Sequence, residues 1–87
     1  MEIDIKADGI KPFKLDIKEF NLNERIELNN LLYKFFNNKE GMFSPAIDIV
    51  RLASQLSDED INNYSNDEIF GIAIAVSNYV NKKKVKK

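Results

Sequence analysis

Eighty-seven residues without cysteine or histidine suffice for one small core, and they exclude a disulfide framework, a thiolate metal site and imidazole acid–base catalysis. The net charge is −1, but five of the thirteen basic residues fall in the last six positions. Residues 1–81 therefore hold eight basic against fourteen acidic side chains, a net −6, which argues against nucleic-acid binding by the folded body.

The chain opens on MEIDIK, which has no apolar segment of the signal-peptide kind. Its longest apolar stretch, Ile69 to Val76, is far short of the roughly 20 residues that span a bilayer. A cytoplasmic protein is expected. Met1 to Lys18 alternates Ile3, Ile5, Phe13, Leu15 and Ile17 with charged residues, the period of two strands. A two-residue turn at Asp8-Gly9 would set Ile3 opposite Lys14. A three-residue loop, Asp8 to Ile10, instead pairs Ile5 with Phe13 and Ile3 with Leu15, with Gly9 near a bulge. Pro12 then belongs on an edge strand.

A first helix is expected from about Asn23 to Asn37, with Leu28, Leu31, Leu32, Phe35 and Phe36 as its apolar stripe. Asn37-Asn38 and Gly41 end it. A second helix starts at Ser44-Pro45, Ser44 as N-cap and Pro45 in the first turn. Ala46, Ile49, Val50 and Ala53 form its inner side. Ser57-Asp58-Glu59-Asp60 opens a short third helix that Asn62-Asn63 stops. Ser65 with Glu68 is a capping box for the final helix. That helix carries a stripe of Ile69, Ile72, Ala73, Val76, Tyr79 and Val80, and a second apolar side at Phe70 and Ile74. Either the hairpin or a partner covers the second side.

The fold class that follows is α+β, mostly helical. An N-terminal β-hairpin packs on three or four helices in one domain, residues 1–81, and a lysine-rich tail follows at 82–87. The expected core includes Leu32, Phe35, Phe36, Ile49, Ile69, Ile72 and Val76. No constellation points to an enzyme. The three glycines are scattered, so no phosphate loop forms. Asp58, Glu59, Asp60, Asp67 and Glu68 lack the spacing of a calcium loop and sit where helix N-termini favour acids. No metal and no cofactor are expected. The lysine tail has a bland reading, a solvated helix end, beside a binding one. What remains is a surface for protein, and the candidate partner-binding residues are Phe70, Ile74, Tyr33 and Phe43.

The stretch LLYKFFNNKEGMFSPAIDIVRLASQLSDEDINNYSNDEIFGIAIAV resembles the small tail assembly chaperones of long-tailed bacteriophages. The resemblance rests on the acidic LSDEDINNYSNDEI, the apolar helix after it and a short β-like N-terminus, and it covers roughly residues 20–80. It implies a mostly helical, oligomer-forming protein without catalytic residues. Its client would be a long helical tape-measure protein, to which it helps bring tail-tube subunits. A virion structural or adaptor protein is the alternative class, and a basic-tailed nucleic-acid accessory protein the third.

Overall fold

The computed structural model describes residues 1–38 and 41–85, with side chains as far as Asn81. The lysine side chains of the tail lie outside that range. The fold is α+β. Strands β1 (Glu2–Ile5) and β2 (Phe13–Asp16) are followed by helices α1 (Leu22–Asn37), α2 (Phe43–Ser54), α3 (Asp58–Ile61) and α4 (Asn66–Val85). The hairpin is antiparallel, with Ile3 opposite Leu15 and Ile5 opposite Phe13, the register that the alternation predicts. Ile5 and Leu15 are buried while Glu2, Asp4, Lys14 and Asp16 face water. The Ile17 N–H donates to the Met1 carbonyl at 2.7 Å and carries the pairing one step further.

The expected three-residue loop is longer than that. The strands part beyond the Ile5–Phe13 pair, and residues 6–12 form the connection. Pro12 thus lies in the loop and not on an edge strand. The reason is packing: the arms of the loop lean onto α4, where a Cβ added to Gly71 would stand 3.3 Å from Ala7 Cβ and 3.4 Å from Ile10 Cδ1. At the tip the Ile10 N–H reaches the Ala7 carbonyl at 3.4 Å. Gly9 has φ 85°, the positive value that the third residue of a type II turn requires.

Helix α1 begins earlier than expected because Asn21 caps it. The Asn21 side-chain oxygen accepts from the Glu24 N–H at 2.8 Å. Glu24 Oε1 accepts in return from the Asn21 N–H at 3.1 Å, so two otherwise orphaned donors are satisfied. Leu28, Leu32 and Phe35 are buried and Leu31 is half-buried, but Phe36 is 55% exposed and leaves the expected core. Eight residues on from Leu28, it has rotated about 80° off the stripe at 3.6 residues per turn.

Helix α2 also starts early, by two residues, so Ser44 is inside the first turn and is no cap. Met42 takes the N-cap position with helical backbone angles and no side-chain cap. Its carbonyl accepts the Ala46 N–H at 3.1 Å. Phe43 is therefore helical and not in a loop. Pro45 still falls where a missing N–H costs nothing. Ala46, Ile49, Val50 and Ala53 are fully buried, and α2 packs against both α1 and α4. The helix ends on Gln55 in the left-handed region, φ 60°. The Lys18 N–H, arriving from the hairpin, bonds the Ala53 carbonyl at 2.9 Å.

The expected caps of the last two helices are present. Ser57 Oγ accepts the Asp60 N–H at 3.2 Å. Ser65 Oγ accepts the Glu68 N–H at 3.1 Å, and Glu68 Oε1 accepts the Ser65 N–H at 2.7 Å. Ile69, Ile72, Ala73, Val76 and Val80 of α4 are buried in the single core cluster. Among the described residues no helix is long and apolar enough to cross a membrane.

Candidate functional site

The second apolar side of α4 has two fates. Its Gly71 edge receives the hairpin, since a Cβ there would also meet Ile5 Cγ2 at 3.5 Å. Its Phe70 edge carries a run of aromatic rings. Phe36 lies edge-on to Phe35 with centroids 5.0 Å apart. Phe35 lies 6.0 Å from Phe70, and Phe70 makes an edge contact with Phe43 at 5.9 Å. Four rings from α1, α4 and α2 thus form one continuous string, in the offset and edge-on arrangements that aromatic quadrupoles favour. Phe35 in its middle is buried, while Phe36 and Phe43 at its ends are 55% and 36% exposed.

The candidate residues divide accordingly. The hairpin or a partner is the expected cover for Phe70; instead Phe35 and Phe43 flank it and leave it half-buried. Ile74, one turn further along α4 from Phe70, is 43% exposed. Phe43 stands beside Phe70 at the head of α2. Tyr33 is 70% exposed on the side of α1 that faces away from the core, and its contacts are not part of the ring string. Phe36 belongs to the surface and was missed, because its place in the i, i+7, i+8 pattern reads as core.

Phe43 also borders a shallow groove of about 200 Å³ lined by Ile47, Arg51, Asp58, Ile61, Tyr64 and Ile69. Ligand pockets run to roughly 300–1,000 Å³, and this groove is smaller. Arg51 forms its polar wall. The guanidinium donates through Nε to Asp58 Oδ1 at 2.8 Å and through Nη2 to Asp58 Oδ2 at 3.1 Å, with Asp48 Oδ1 at 3.2 Å. These bonds, the Asp58 pair first, hold the Arg51 charge even more firmly than usual. The acidic run is likewise engaged locally: Asp58 pairs with Arg51 and Glu68 caps α4. Among the described residues, no group of three acidic, histidine or cysteine side chains is placed to hold a metal ion.

Compared with known proteins, the chain matches no family model, no curated relative and no solved structure.

Proposed function

We propose that the protein is a non-catalytic, protein-binding assembly factor, a tail assembly chaperone of the long-tailed phage type. Its client is a tape-measure-like helical protein, and tail-tube subunits are its second partner. The observation that carries this reading is the string of rings Phe36, Phe35, Phe70 and Phe43 with Ile74 beside it. Rings held by a packed core bind apolar side chains with little further loss of rotamer freedom. An apolar strip between three helices suits the face of an amphipathic client helix. The acidic body repels nucleic acid and discourages adventitious binding to it.

The test is co-expression with the tape-measure protein of the same genome, followed by titration of the purified pair. Phe43→Asp and Ile74→Asp should each weaken binding about thirtyfold, the loss of a roughly 2 kcal/mol hot spot. Phe70→Asp is unsuitable, because burying a charge among packed rings would unfold the protein. Undiminished binding by both variants would sink the proposal. Recovery of the chain as a stoichiometric part of purified particles would favour the structural or adaptor reading.

A further inference from the structure

Five positions of α1 follow one another at intervals of four, three, four and three: Leu22, Ile26, Asn29, Tyr33 and Phe36. That is the rhythm of a coiled-coil seam, and on a helix of 3.6 residues per turn the five fall within about 80° of arc. The face is turned about 100° from the buried side chains of Leu28 and Leu32, and Phe36 at its edge adjoins Leu32 one turn back. The four apolar members are 70%, 53%, 70% and 55% exposed in chain order, and Asn29 at the centre is half-buried.

We propose that this face docks on the same face of a second copy of the chain, the two α1 helices running antiparallel with Asn29 near the two-fold axis. The order of residues along the seam selects the antiparallel sense. Leu22 and Ile26 occupy its first half, Tyr33 and Phe36 its second. Antiparallel helices set Leu22 against Phe36 of the other copy, and Ile26 against Tyr33, so each layer pairs a ring with an aliphatic chain. Parallel helices would pair rings with rings at one end and leave the other end thin. Asn29 then meets itself, and an amide can donate to and accept from its own copy. One polar residue within an apolar seam also sets register.

Charge points to the same occupant. In a body of net −6 this face holds no carboxylate. Its rims carry Asn23, Asn30 and Asn37 on one side and Arg25 on the other, so two copies can meet here without facing acid against acid. A helix about 24 Å long at 1.5 Å per residue gives an interface at the small end of the specific range, about 1,000 Å² in total. The dimer is therefore reversible and concentration-dependent. This inference rests on α1 alone and does not depend on the client reading.

Sedimentation equilibrium of the full chain over a dilution series tests it. The expected mass climbs from 10.1 kDa towards twice that value, and Ile26→Asp stays at monomer mass with unchanged far-ultraviolet circular dichroism. Tyr33→Asp serves in the same way should Ile26→Asp fail to fold. The chain has no cysteine of its own, so orientation can be read by oxidative cross-linking. Asn29→Cys should link to itself, and Leu22→Cys should link to Phe36→Cys in a mixture but not to itself. A monomer at every concentration, or a dimer that survives both aspartate variants, overturns the interface. Self-linking of Leu22→Cys overturns the antiparallel arrangement.

Discussion

Phe35 and Phe36 are adjacent, in contact and opposite in environment: one is 1% exposed, the other 55%. Phe35→Ala should cost about 3–5 kcal/mol, as for other buried rings, and Phe36→Ala less than about 1 kcal/mol. Urea midpoints measure both, and equal losses would return Phe36 to the core. Helical periodicity identified Leu28, Leu32 and Phe35 correctly, but the edge of a wide stripe is where it cannot discriminate. Phe36 lies at that edge, and only the placement of α2 decides its side. A second residue, Glu24, joins the capping of α1 to an ion pair with Lys18. The Lys18 hydrogen bond first, and the Asn21 backbone N–H next, hold its carboxyl below the ordinary glutamate range. A pKa lower in the folded chain than in the unfolded one means stabilisation that is present above the unfolded value and is lost as pH falls through the folded one. Glu24→Gln should therefore flatten the acid side of the stability profile and leave its slope near neutrality unchanged. A series of urea midpoints from neutral to acid pH checks this, and an unaltered acid slope would contradict it.

At the scale of elements, alternation made the hairpin and its register legible, because shifting the pairing by one residue would have turned Ile5 and Leu15 to water. The loop length was not legible, since Ala7 and Ile10 leave the ladder to meet a helix more than sixty residues away in sequence. The caps at Ser57 and Ser65 could be read directly. The start of α2 could not, because Met42 opens it without a side-chain cap. Nor could its end, because Gln55 adopts a left-handed conformation that usually marks glycine. For the candidate surface, the sequence showed that α4 has apolar residues on more than one side. It could not show that Phe35 and Phe43 would close around Phe70 and leave Ile74 open. The seat of the hairpin provides a direct test. Gly71→Val would drive branched methyl groups into Ala7 and Ile10, an overpacking that should cost about 1–3 kcal/mol. Loss of the hairpin's amide protection from hydrogen exchange, with α2 still protected, is the expected signature. Full protection of the hairpin would mean that its seat lies elsewhere.

In the whole molecule, four helices and the hairpin share one core, and apart from Met1 the large apolar residues exposed outside it fall into two groups. The ring string runs across α1, α2 and α4, whereas the seam follows α1 alone. Phe36 is the residue they have in common, so an antiparallel dimer through α1 would set the two ring strings at opposite ends of the seam, about 20 Å apart. The contact of Ile5 with the Gly71 side of α4 has a consequence for biosynthesis. The first strand made must wait for α4, the last of the described helices, before its inner face is covered. Until α4 leaves the ribosome, Ile5 has no final resting place, and a lone hairpin is marginal in water. The fold can therefore close only once α4 has been made, and until then the growing chain exposes apolar surface that invites aggregation.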